Sequence, residues 1–279
     1  VGAMMRFVGY ARELRAEMDK VAERGLEMTR GLSGSRNKNR ELMTLEGETD
    51  DQAFALRIRR FARDSRMTED EARAYRLGAR ETGGVGRDTL GVSTYDAVLA
   101  HGAQATPTLG LDPTIAGRML GNMMTMSPQL ARLPERERVA RLNTSFDQVI
   151  GRLQQSPGNL AELTRQYQEA SASSLQRDNP LFGQFRTPQE LASVVGVTGY
   201  LNPSTGAQQI EASIRGFMDE KAQPLLKKAG VTSGMSFMEK IRRIAPVLMK
   251  EAQDQHKPVE EVAAAYFEDI RTRRAILNQ

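Results

Sequence analysis

At 279 residues, with 39% hydrophobic and 27% charged positions, the chain is long enough to bury a core and too apolar for wholesale disorder. It has no Cys, which excludes disulfides, thiolate nucleophiles and Cys-ligated metal centres, and no apolar run approaches the ~20 residues that span a bilayer. The net charge is +4, and 31 of the 39 basic residues are Arg; this skew suits phosphate or carboxylate recognition, but acids interspersed along the chain favour the plainer origin in a GC-rich coding sequence.

Aromatics make up 5% and Trp is absent, so Leu, Ala and Met must do most of the packing, which favours helix against helix. The start, Val1-Gly-Ala-Met-Met, has neither the basic segment nor the long apolar segment of a signal peptide. Without an initial Met the chain is expected to be a piece of a longer protein. From Met5 to about Leu32, apolar residues at Phe7, Tyr10, Leu14, Met18, Val21 and Met28 recur at helical spacing. Residues 33–50 lack periodicity, and Ser33 to Arg40 is small, polar and basic, as in a loop. A helix is expected from about Asp50, with Phe54, Ile58 and Phe61 on one face and aspartates at the positive end of its dipole. Thr68-Glu-Asp-Glu71 is a capping box, and its helix is expected to stop at Gly83-Gly84.

From residue 93 the pattern recurs. Ser93-Thr-Tyr-Asp96 and Thr187-Pro-Gln-Glu190 both read as capping boxes. Each leads to a second start signal, Leu111-Asp-Pro-Thr114 and Leu201-Asn-Pro-Ser204, in which the residue before Pro caps and Pro begins the helix. Ser145-Phe146 then matches Ser236-Phe237, Arg152-Leu153 matches Arg243-Ile244, and Tyr167 matches Tyr266. The expected architecture is all-α: an N-terminal helical arm and loop over 1–90, a first helical unit over 91–185 and a related second unit over 186–279, stacked like repeats. In the second unit Ile210, Ile214, Phe217, Met218 and Leu225 form one stripe. Met238, Ile241, Ile244, Ala245 and Leu248 form another, with Pro246 as a kink or early stop. Val259, Val262, Ala263, Tyr266, Phe267 and Ile270 form a third. No segment alternates as a strand would.

Candidate chemistry is sparse. His101 and His256 are far apart and neither has a partner at ligand spacing, so structural or surface roles are expected. Asp96, Asp112 and Glu190 are better spent at helix starts than as a carboxylate pair. Gly83-Gly-Val-Gly86 lacks the strand before it and the Lys-Ser/Thr after it that a phosphate loop needs, and reads as a helix terminator and hinge. Met119, Met123, Met124 and Met126 lean towards core over an adaptable binding surface. The strongest charge feature is Arg57, Arg59, Arg60, Arg63 and Arg66: Arg59, Arg63 and Arg66 share one helix face, and Arg57 and Arg60 another. With Arg36, Lys38 and Arg40 they could meet nucleic-acid phosphates. No aromatics are interleaved for base stacking, so a solvated or ion-paired helix is the favoured alternative. No catalytic set, cofactor or metal site is expected.

The stretch from Thr187-Pro-Gln-Glu-Leu-Ala-Ser-Val-Val to Asn202-Pro-Ser-Thr-Gly-Ala-Gln-Gln-Ile210 resembles the helical module of phage tail tape-measure proteins. In the same order follow Gln223-Pro-Leu-Leu-Lys-Lys-Ala-Gly-Val-Thr232, then Ser236-Phe-Met-Glu-Lys-Ile-Arg-Arg-Ile244, then Tyr266-Phe-Glu-Asp-Ile-Arg271 with Arg274-Ala-Ile-Leu277. Glu268 stands where that family favours Gly. The resemblance is clearest over 187–277 and faint over 93–172. It implies a non-enzymatic structural protein of a phage or prophage tail, which sets tail length, acts in tail assembly and leaves the tube when the genome is ejected. Its implied partners are tail-tube, tail-tip and tail-chaperone proteins, with self-association and DNA contact compatible with that role. Its implied location is the virion tail, assembled in the bacterial cytoplasm. The alternative reading is a basic helical nucleic-acid-binding module.

Overall fold

A computed structural model describes residues 40–47, 49–179, 181–198 and 206–277. The helix expected over Met5–Leu32, most of the loop that follows it and the start signal Leu201–Ser204 lie outside the described residues. Among the described residues the fold is all-α, with no strand. The chain divides into two units, Val1–Arg57 and Ile58–Gln279. In the first, a helix over 40–46 (α1) buries Leu42 and Met43, and Phe54 is buried at the start of the next helix, α2 (Asp51–Ser65).

The second unit contains the rest of α2 and a succession of helices: α3 (Glu69–Leu90), α4 (Val92–Thr108), α5 (Pro113–Thr125), α6 (Glu135–Gln154) and α7 (Leu160–Ser174). They are followed by α8 (Pro188–Thr198), α9 (Gly206–Gly216), α10 (Gln223–Lys228), α11 (Phe237–Gln255), α12 (Val259–Tyr266) and α13 (Ile270–Leu277). Helix α3, expected to belong with the N-terminal arm, packs here against α5 more extensively than any other helix pair. Helix α5 also meets α7, α4 meets α6, and α8 sits on both α6 and α7.

The expected stop at Gly83-Gly84 is overturned. Helix α3 continues to Leu90, and its glycines form the crossing with α5. A Cβ on Gly78 would lie 2.6 Å from Thr114 O, and one on Gly121 would lie 2.7 Å from Ala79 O. A Cβ on Gly117 would collide with Tyr75 O. The two backbones touch because no side chain stands between them. The Thr82 hydroxyl lies 3.1 Å from Arg118 O, and the Thr125 hydroxyl donates to Thr82 O at 3.2 Å. Arg118 closes the edge with two bonds to Glu81 Oε2. Around this seam Met119, Met123 and Met124 are fully buried and act as core. Tyr75 is also fully buried and donates to Leu99 O at 3.2 Å, and burial pushes its phenol far above the usual range.

Helix starts follow the local chemistry in most places. Thr68 and Glu71 form the reciprocal capping box, and Asp112 caps α5 through Ile115 N with Pro113 at the first turn. Glu190 N bonds to the Thr187 hydroxyl. Ser93 is a correction: α4 begins two residues earlier than a Ser93 cap would place it, capped by Gly91 at φ 90°, with no side-chain cap. Asp96 instead lies 3.6 Å from Arg76. The pairing of Ser145-Phe146 with Ser236-Phe237 does not extend to structure, since Ser145 is inside α6 while Ser236 caps α11 in a full capping box with Glu239. Helix α11 runs through Pro246 without stopping. The last stripe is broken, because Phe267 is extended (φ −126°) between α12 and α13.

Candidate partner interface and cleft

The arginine cluster is a product of α2, where an apolar face of Phe54, Ile58 and Ala62 is buried and the remaining positions turn outward. Its five arginines do not share one unit. Arg57 belongs to the first, where its guanidinium bonds Glu46 Oε2 at 2.6 Å and lies 5.5 Å from the Phe54 ring centre. In the second unit Arg59, Arg60, Arg63 and Arg66 are exposed. Arg59 pairs with Glu69 at 3.2 Å, and Arg63 with Asp64 at 3.3 Å. Arg66 follows the helix in the left-handed region at φ 58°. The expected common face of Arg59, Arg63 and Arg66 is therefore cut short, because Arg66 is the turn that ends α2. Exposed pairs of this kind are weak and yield to a competing anion, so the surface keeps the capacity to meet phosphate.

The remaining candidates have structural partners. His101 bonds Asp147 at 2.9 Å, joining α4 to α6, with its ring edge-on to Phe146. His256 is the left-handed cap of α11, and its Nδ1 lies 2.8 Å from Gln253 O. Asp112 caps a helix, and Glu190 accepts from Arg186 N at 2.8 Å. No group of three His, Asp or Glu residues that could hold a metal occurs among the described residues. Gly83–Gly86 is helical, with Gly83 and Gly86 against α5, so its amides are committed to the helix and cannot cradle a phosphate.

Sequence reasoning assigned no role to a cleft of about 540 Å³ in the second unit. Its buried floor is Ile214, Phe217, Leu226 and Phe237. Phe237 is held edge-on to Phe217 at 5.1 Å and to Phe185 at 6.1 Å, and its backbone N–H donates to Gln184 O at 2.8 Å. Lys240, one turn along α11, reaches the same cleft and donates to Gln184 Oε1 at 3.1 Å. Burial lowers its pKa. The signal available in the sequence was the placement of lysine: none lies between residues 39 and 220, and six of the eight fall between 221 and 257.

No helix among the described residues is long and apolar enough to cross a membrane. Compared with protein-family models, curated proteins and solved structures, the chain matches none of them.

Proposed function

We propose that the chain is a structural component of a phage or prophage tail, a folded helical piece of a tape-measure protein. On this reading it acts in tail-length determination, tail assembly and genome ejection, in contact with tail-tube, tail-tip and tail-chaperone proteins, and has no catalytic role. The observation that carries the reading is the order of segments along 187–277. Support comes from the way these segments are used: Thr187 and Ser236 begin helices, Gln223 to Lys228 forms α10, and the closing segment runs from the last residue of α12 through α13. Mass spectrometry of purified tail particles from the source strain tests it. The chain's peptides should co-sediment with tail-tube protein, and an in-frame shortening of the helical regions of its gene should shorten the tails. Particles free of these peptides would overturn the reading.

The nucleic-acid alternative rests on Arg59, Arg60, Arg63 and Arg66. A salt titration of duplex DNA binding separates the two, since tight binding with a steep salt slope would favour the alternative.

A further inference from the structure

The lysines of the C-terminal region fall into two groups. Lys221, Lys228 and Lys257 each hold a carboxylate, from Glu268, Glu251 and Glu261. Lys227, Lys240 and Lys250 have no carboxylate partner among the described residues, and the first two line the cleft. No Asp or Glu lines it; its other polar groups are Gln184, Gln223, Thr232 and Ser233. The Lys240 ammonium is half-buried and its hydrogen-bond partner is a neutral amide. A cation that has lost part of its hydration and gained no counter-charge raises the energy of the site, and an anion placed beside it removes that penalty. Beside this charge lies the apolar floor of Ile214, Phe217 and Leu226, with Met218 exposed at the rim. The volume falls within the range of small-molecule sites, which combine an apolar wall with a few convergent polar groups.

We propose that this cleft binds a small amphipathic carboxylate, its head group on Lys240 and Lys227 and its aliphatic body against Ile214, Phe217 and Leu226. The site stands independently of the tail-protein reading. The two ammonium groups, neither held by a carboxylate, select charge, and the hydroxyls of Thr232 and Ser233 supply donors for the second carboxylate oxygen. The apolar floor selects a hydrocarbon chain over a compact anion.

Isothermal titration of the full chain with dodecanoate, below its micellar concentration, tests the proposal. Dodecanoate is expected to bind saturably at one site and at least tenfold more tightly than neutral dodecanol. Lys240→Met should erase that tenfold preference, and Lys227→Met should weaken dodecanoate about threefold. Lys250→Met, at an exposed lysine outside the cleft, should leave binding unchanged. Absence of saturable dodecanoate binding, equal affinity for the alcohol, or an equal loss in Lys250→Met would each overturn it. The carboxylate-to-alcohol comparison uses the unaltered chain, so it decides the matter even if Lys240→Met fails to fold.

Discussion

The α3–α5 crossing and the phenylalanine cluster near α11 fill the same need in opposite ways. At the crossing, Gly78, Gly83, Gly86, Gly117 and Gly121 remove side chains so that two helices meet backbone to backbone. In the cluster, Phe185, Phe217, Phe237 and Phe267 lie at or beside helix ends, and their rings fill the space between connecting segments. One region is organised by what is missing and the other by bulk. Sensitivity to substitution should therefore reverse between them: the crossing should reject added atoms, and the cluster should reject their removal.

The largest expected effect is in the cluster. Phe237→Ala should cost about 3–5 kcal/mol in urea unfolding, because the ring is fully buried between two others. A cost near 1 kcal/mol would mean that the neighbouring rings collapse into the space, and the contrast would fail. Next comes Gly117→Ala, which should cost about 3 kcal/mol through forced separation of the helices. Its control is Gly84→Ala, in the same glycine tract but with open space around it. That change should be neutral or stabilising by up to about 1 kcal/mol, as expected for Ala over Gly inside a helix. Similar values for the two alanines would show that helix propensity, and not the crossing, governs the tract. Thr82→Val should cost about 1 kcal/mol, since it keeps the shape and removes the hydroxyl beside Arg118 O.

The smallest effect concerns a polar clasp between α11 and α12. The Tyr266 hydroxyl donates to Glu251 Oε1 at 2.5 Å, and Lys228 reaches the other oxygen at 3.0 Å. The carboxylate raises the phenol to about 12, and the two donors lower the carboxyl. The phenol's contribution to stability is present below the ordinary tyrosine range and is lost as pH rises through about 12. The carboxylate's contribution is present above the ordinary glutamate range and is lost as pH falls through its lowered value. Ultraviolet titration should place Tyr266 ionisation near 12 in the native chain and lower in Glu251→Gln. An unmoved transition would remove Glu251 as the cause.

Legibility in the sequence followed the range of the interaction. Helical character, the Thr68 box and the Asp112-Pro113 start depend on neighbours within four residues and are read directly from the chain. The glycine tract was misread because its glycines weaken a lone helix, and their compensation comes from α5, about 40 residues further along. Pro246 misled in the same way, since packing of Ile241, Ile244 and Leu248 holds α11 together across the missing backbone donor. Among the arginines, helical spacing put Arg59 and Arg63 on one face, but it could not show Glu69 in the following helix as a partner for Arg59. Lys240 carried no motif at all; its partial burial beside a neutral amide, a property of the folded chain, sets it apart from the other described lysines, which are exposed.

The α3–α5 seam also bears on the order of events in folding. Four glycines lie between residues 78 and 86, each costing about 1 kcal/mol of helix propensity relative to Ala. Alone, the C-terminal half of α3 should be largely unwound, and winding should coincide with docking. Because glycine has no rotamers to freeze, docking immobilises few side chains along the seam. Secondary and tertiary structure should consequently appear there in a single cooperative step, with the amides of residues 78–90 and 117–125 gaining protection from hydrogen exchange together.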